Sequence, residues 1–306
     1  MKKKYDILTP LDICVDLILT GNVQPEFGQK EKIVDDYIIE MGGSNCIFAC
    51  QAAKLGMRVA GIGVSGDDLF GELVRKSLNN AGVDTSHVIT DSSYKTAIGI
   101  ALCENGDRAI LTYLGTIAAT GLESTLSNVL PETRHLHIGS FYLMDGLRPY
   151  WLDIVKSAKD MGVTVSLDTN WDPSGTWQGL NELLPYVDVF FPNENEALHI
   201  TKEKNEIDAV HVLLKSVGIV VLKKGKDGAK VFTRCGKLFS LPSISIKVVD
   251  AIGAGDSFAA GFLNGFINSE NHELCLKKAI ICGSMSTRGA GGVARQATIE
   301  EVCDLL

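Results

Sequence analysis

Short apolar or β-branched runs separated by longer stretches of helical spacing recur along this chain, and that alternation leaves few folds open. Val59 to Gly63, His135 to Gly139, Val163 to Asp168, Val187 to Phe191 and Ile219 to Lys223 read as buried strands, being too short and too rich in β-branched residues for buried helices. Helical patterns lie between most of them, at Asn45 to Leu55, Leu69 to Asn80, Leu147 to Met161, Glu194 to Ile200 and Asp208 to Ser216. The alternation predicts an α/β fold, a mainly parallel sheet with helices on its faces.

Two stretches break the rhythm. Ile33 to Glu40 reads as an extended segment with no helix after it, and Thr96 to Tyr113 as two strands joined by a turn at Glu104-Asn105-Gly106-Asp107. Strands outside the βαβ pattern predict a small β appendage, built from segments near 12–41 and 95–114. No repeat, low-complexity tract or Pro/Ser-rich linker divides the chain, so residues 1–306 are expected to form one domain with the appendage inserted in it. A chain of 306 residues can bury roughly 75% of its unfolded surface, enough to enclose a water-excluding site without disulfides or metals.

Charge and composition remove other classes. Lys and Arg number 29 against 37 Asp and Glu, a net charge of −8, and no cationic run follows Lys2 to Lys4. Nucleic-acid binding by counterion release needs clustered cations, so that partner is not expected. Asp6, Asp12 and Asp16 interrupt the apolar start, which argues against a secretory leader. No apolar run reaches 18 residues, so no membrane span is predicted. The eight cysteines form no CxxC pair and read as buried free thiols of a reducing cytoplasm.

The most informative segment is Val248-Val249-Asp250-Ala251-Ile252-Gly253-Ala254-Gly255-Asp256-Ser257-Phe258. Its glycines permit a tight turn, and Phe258, Phe262 and Phe266 begin an amphipathic helix. Gly253 to Asp256 would then stand at a helix N-terminus, where free N–H groups and the helix dipole attract anions such as phosphate. Asp256 alone would be an N-terminal cap. Beside a phosphate cradle it is also what transfer of a phosphoryl group to an alcohol requires, an acceptor for the alcohol's proton.

The segment from Asp250 to Phe258 resembles the signature of the ribokinase-like (PfkB) carbohydrate kinases. Three further blocks follow that family's order: Met41-Gly42-Gly43-Ser44-Asn45 through Lys54-Leu55-Gly56, Gly63 through Asp67-Asp68-Leu69-Phe70-Gly71, and Asn193-Glu194-Asn195-Glu196. The resemblance spans nearly the whole chain and implies a three-layer α/β/α fold with a mainly parallel central sheet and a small β-sheet lid. It also implies ATP-dependent phosphorylation of a hydroxyl on a small sugar or sugar-like acceptor. A non-catalytic sugar or nucleotide sensor on the same fold, or a nucleoside kinase of the family, is the alternative.

By the resemblance, Asp256 would be the catalytic base, with Gly253, Ala254 and Gly255 completing the anion hole. Asn193 and Glu196 would organise Mg²⁺ through waters; their spacing is also that of a helix cap and its capping-box Glu. Asp16, taken to lie on the first strand, would bind sugar together with Gly42, Gly43, Asn45 and Asp168, with Asp12 a competitor for the same role. Lys223, Gly225 and Gly228 would face the nucleotide, whose adenine would lie near Cys282 to Gly289. Asp250 and the Ile252 carbonyl match positions that hold K⁺ in ribokinase-like members. Lids of this kind often pair, implying a homodimer.

Two departures bear on the acceptor. The family's usual Asn in the first glycine block is Ile47 here, and the Arg of its D-x-N-x-R motif is Asp172 in Asp168-Thr169-Asn170-Trp171-Asp172. Lys223 and Lys224 are candidate replacement cations or ordinary solvated lysines. Arg108, at the lid turn, could reach a carboxylate or be an exposed hairpin cation. Gly61-Ile62-Gly63-Val64-Ser65-Gly66 satisfies a dinucleotide fingerprint, but Asp67 and Asp68 follow where pyrophosphate would sit. No Walker-type loop occurs. His135 and His137 share one strand face without a third metal ligand and read as structural.

Overall fold

The computed structural model describes residues 3–104 and 107–306. Asn105 and Gly106, at the centre of the expected turn, lie outside the described residues.

Thirteen strands and nine α-helices run in this order among them: β1 (Tyr5–Pro10), β2 (Cys14–Thr20), β3 (Asp36–Gly42), α1 (Ser44–Lys54), β4 (Val59–Ser65), α2 (Leu69–Ala81), β5 (Asp84–Thr90), β6 (Ala97–Glu104), β7 (Asp107–Tyr113), α3 (Leu122–Val129), β8 (Thr133–Ile138), α4 (Trp151–Asp160), β9 (Thr164–Leu167), β10 (Val189–Phe190), α5 (Glu194–Thr201), α6 (Glu206–Leu213), β11 (Ile219–Lys223), β12 (Ala229–Thr233), β13 (Leu238–Leu241), α7 (Ala254–Ile267), α8 (His272–Ser286) and α9 (Ile299–Leu305). The large sheet has nine strands in the order β13-β12-β11-β10-β9-β8-β1-β4-β5. Every pairing from β11 to β5 is parallel; β12 and β13 add an antiparallel edge.

Burial on both faces explains the continuous apolar strands. Neighbours Ile7 and Leu8 on β1 enter opposite cores. One core takes α3, α4, α5 and α6 through residues such as Leu126, Ile154, Ala197 and Val210. The other takes α1, α2, α7, α8 and α9 through Phe48, Val74, Phe262, Leu276 and Val302. The result is the expected three-layer arrangement. Tyr5–Pro10 and Cys14–Thr20, in the stretch weighed as a leader, are strands, and among the described residues no helix is long and apolar enough to cross a membrane.

The small sheet has the order β3-β2-β6-β7. Its register places Asp16 beside Gly99, and Leu17 beside Ile39 and Ile100, so successive residues on β2 face opposite sides. The helix expected from Leu147 begins only at Trp151, because Pro149 sits in a 3₁₀ turn, Arg148–Tyr150, that precedes it.

Candidate active site

The cavity lies beyond the carboxyl ends of β1, β8, β9, β10 and β11, where a parallel sheet presents loops and helix N-termini. It has a volume of about 900 Å³ and is roofed by residues of the small sheet.

At one end stands the start of α7. Phe258 and Phe262 anchor this helix in the core, which fixes its first turn at the cavity. Gly253 caps it with φ 72°, a left-handed backbone that glycine adopts without strain. N–H groups of a first helical turn have no helical partner, and Gly253, Gly255 and Asp256 line the cavity. The Asp256 carboxyl is held well above the ordinary carboxylate range, first by burial and next by the negative charge of Asp168, against the pull of Lys223 and a hydrogen bond from Ser44.

Lys223, the last residue of β11, donates to Asp168 Oδ2 at 2.6 Å. Of the two lysines considered as replacement cations, Lys223 lines the cavity, whereas Lys224 pairs with Glu194 and Glu206. Asn193 and Glu196 form a complete capping box on α5, Asn193 Oδ1 accepting from Glu196 N and Glu196 Oε2 from Asn193 N. Glu196 lines the cavity while Asn193 does not. Gly225 and Gly228 sit in the turn after β11 and also lie outside the cavity wall.

The acceptor half has two aspartates, Asp12 buried and Asp16 half-buried. Asp12 lies in the β1–β2 turn and does the capping that Gly43 cannot: its Oδ1 accepts from Asn45 N at 2.9 Å and from Cys46 N at 3.4 Å, while Oδ2 accepts from the Ser140 hydroxyl. Gly43 has φ 83°, and a Cβ there would come 2.2 Å from Asp12 O. Asp16 is on the second strand rather than the first, because Tyr5–Pro10 forms a strand ahead of it. A Cβ on Gly42 or Gly99 would fall 2.3 or 2.8 Å from Asp16 Oδ1, so those glycines make room for this carboxylate. Burial pushes both carboxyls up to about 6, with hydrogen bonds opposing it at Asp12 and Arg108 at Asp16.

The structure relocates one expected contact. Asn45 is fully buried and its amide donates to Gly139 O at 3.1 Å, so its side chain turns into the protein and only its backbone supports the site. The two departures acquire packing roles. Ile47 wedges between Ile18 and Ala101 of the small sheet and Ile252 of the α7 turn. Asp172 is buried and accepts from Trp177 N at 2.6 Å and Ser174 N at 2.9 Å, mooring the loop after β9. Those hydrogen bonds outweigh its burial and lower its pKa.

His135 and His137 are buried, hydrogen-bonded through Ser166 and Thr164, and held below the usual imidazole range by burial. They are structural. The α2 start also answers the fingerprint, since Asp68 caps it by accepting from Gly71 N at 2.8 Å. Sequence reasoning missed Ser44, Ser140, Tyr142, Arg148 and Trp171 as cavity residues. Ser44 had a signal in following a double glycine at a helix start; Arg148 had none.

A helix N-terminus beside a carboxylate, at the carboxyl end of a parallel sheet and under a small sheet, is an arrangement suited to phosphoryl transfer to an alcohol. Residues 12–298 match the pfkB family of carbohydrate kinases, and the chain belongs to that family. It is 26% identical to a 5-dehydro-2-deoxygluconokinase of Listeria monocytogenes, over 100% of this chain and 97% of the relative. It is 32% identical to an ATP-dependent ribose-1-phosphate kinase of Halopiger xanaduensis, over 87% of this chain and 86% of the relative. Among solved structures, an Arabidopsis thaliana ribokinase complexed with ribose and ATP superposes with a TM-score of 0.86 at 22% identity, each chain covered over 98%.

Proposed function

We propose that this chain transfers the γ-phosphoryl group of ATP to a hydroxyl of a small sugar or sugar-like acceptor, with Asp256 as base. The observation that carries the reading is the placement of the Asp256 carboxyl in the first turn of α7, facing the cavity shared with Asp12 and Asp16. The acceptor hydroxyl gives its proton to Asp256, its oxygen bonds to the γ-phosphorus, and the bond to the bridging β,γ oxygen breaks to leave ADP. N–H groups of Gly253, Ala254, Gly255 and Asp256 hold the equatorial phosphate oxygens. Asp16 and Asp12 accept hydrogen bonds from the acceptor's other hydroxyls, and Gly42 and Gly43 let backbone approach it. Asp168 holds the Lys223 ammonium.

Glu196 lines the cavity with one carboxylate oxygen engaged in its capping box, which suits an ion that keeps most of its waters. Asn193 and Glu196 would hold Mg²⁺ through waters, and the bound ion would neutralise charge on the phosphates. Asp250 accepts from Ile252 N at 2.9 Å and from Gly291 N at 3.0 Å, orienting its carboxylate; with the Ile252 carbonyl it is the proposed K⁺ site, abandoned if turnover is equal in K⁺ and in tetramethylammonium. Gly225 and Gly228 belong to the adenosine side. The chain acts as one kinase domain whose small sheet is the lid, working in the cytoplasm; its eight cysteines are free, but Cys235 and Cys303 are exposed rather than buried as expected.

The deciding experiment is Asp256→Asn. Turnover is expected to fall roughly 10²- to 10⁴-fold with ATP affinity nearly intact. Near-wild-type turnover would remove the base.

A further inference from the structure

We propose that Arg148 and Tyr142, with Asp145 orienting the guanidinium, form a subsite for an anionic group, a carboxylate or phosphate ester, carried by the acceptor away from its reacting hydroxyl. The inference rests on the kinase reading and names its substrate class. All three residues line the cavity that holds Asp256.

They come from the connection between β8 and α4. Tyr142 packs in the core beneath α3 and α4, whereas α7 packs in the core on the opposite face of the sheet. The two sets of groups thus approach the cavity from different layers, and a ligand reacting at Asp256 meets Arg148 with a remote substituent.

Two unsatisfied polar atoms mark the place. Arg148 Nε and the Tyr142 hydroxyl are buried and have no hydrogen-bond partner among the described residues. Leaving a buried donor without a partner is costly, so two of them on one wall point to a partner that arrives with the ligand. The guanidinium is already oriented. It lies 5.3 Å from the Tyr142 ring centroid and 5.7 Å from that of Phe141, and Asp145 Oδ1 holds its Nη1 at 3.2 Å. That leaves the Nε edge of a planar fork, whose geometry matches carboxylate and phosphate oxygens.

The rest of the wall excludes other uses. Asp168 is taken by Lys223 and Asp172 by its own loop. Asp12, Asp16, Glu196 and Asp256 line the cavity as acceptors for hydroxyls, and its two other cations already face carboxylates, Lys223 at Asp168 and Arg108 near Asp250 and Asp16. A neutral polyol would find all its partners among those carboxylates, leaving a stacked arginine without a task.

The test compares D-fructose, D-fructose 6-phosphate, D-ribose, D-ribose 5-phosphate and D-gluconate by coupled ADP release, with product confirmed by phosphorus NMR. Anionic acceptors should exceed neutral ones in kcat/KM, and the phosphate and carboxylate arms identify which anion fits. Arg148→Met should raise KM for the preferred anion roughly 10- to 100-fold with kcat changed far less, Arg148→Lys should recover part of it, and the effect on neutral acceptors should be at least tenfold smaller. Preference for neutral acceptors, or equal losses on both kinds, overturns the subsite. If no acceptor elicits ADP release, the kinase reading fails and calorimetric titration with fructose 6-phosphate and gluconate judges the subsite alone: binding lost in Arg148→Met sustains it, and absent or equal binding overturns it.

Discussion

Lys223 reaches across β10 from the end of β11 to place its ammonium 2.6 Å from Asp168 Oδ2, at the end of β9. The side chains are only 16% and 5% exposed, and the ammonium neutralises Asp168 while also facing the carboxylates of Glu196 and Asp256. Removing one partner of a buried pair costs about 3–5 kcal/mol. Asp168→Asn and Lys223→Met should therefore each lower stability by about that amount in urea unfolding. The double variant should regain much of the loss while staying inactive, since the cavity loses the Lys223 ammonium. Additive losses in the double variant would refute the pairing argument.

The same pair sets the pH response of Asp256. Burial and Asp168 raise the Asp256 pKa, and a base is lost when pH falls through its pKa, so the acid limb of kcat/KM should stand well above the ordinary carboxylate range. Asp168→Asn removes a negative neighbour and frees Lys223 to attract the carboxylate. Both changes lower the Asp256 pKa, and the acid limb should move down by about one pH unit. A limb unmoved in that variant would mean that another group controls the profile.

Asp16 gives a stability prediction of the opposite sense to acid denaturation. Its folded pKa is about 6, raised from 3.8 by burial and the charge of Asp12. The folded state then holds the proton more tightly, so its contribution is full below pH 4 and is lost as pH rises through 6. Asp16→Asn should raise stability at pH 8 by about 1–2 kcal/mol, allowing for screening at a partly exposed site. The gain should disappear at pH 4. Equal effects at both pH values would show that the carboxylate is not strained by its burial.

Much of this was legible in the sequence, and the reasons are physical. β11 is legible to the residue because five apolar or amphipathic positions end at a lysine and a glycine turn, and the start of α7 is legible because phenylalanines recur every four residues after a glycine pair, while its end is not marked. The antiparallel edge was not legible: Ala229–Thr233 and Leu238–Leu241 follow no βαβ spacing. α8 escaped because it is buried on most sides and shows little of the one-sided pattern that marks a surface helix. At the site, Asp256 and Gly253 carried their own chemistry in local spacing. Asn45 did not, since whether its amide faces ligand or Gly139 depends on a strand 94 positions away. Arg148 acquires meaning only from rings that tertiary packing brings to it.

The outer face of the small sheet supplies the last prediction. Arg108, Ile110 and Thr112 of β7 line the cavity, so by strand alternation Leu111 and Tyr113 face away from it. There they lie 60% and 52% exposed, with Tyr37 and Ile39 of β3 at 63% and 41%. The register joins these edges through Leu17, Leu19, Ile100 and Leu102, which share that face. A contiguous apolar sheet face of this extent marks an interaction site. A second copy of the lid, presenting the same face, is the proposed occupant, and sedimentation should find a dimer. Leu111→Lys places two like charges at that contact and should yield monomers. Because the lid carries Asp16 into the cavity, the monomer should also show a raised acceptor KM with ATP affinity little changed. A wild-type monomer, or a Leu111→Lys dimer, would show that the face is not the contact.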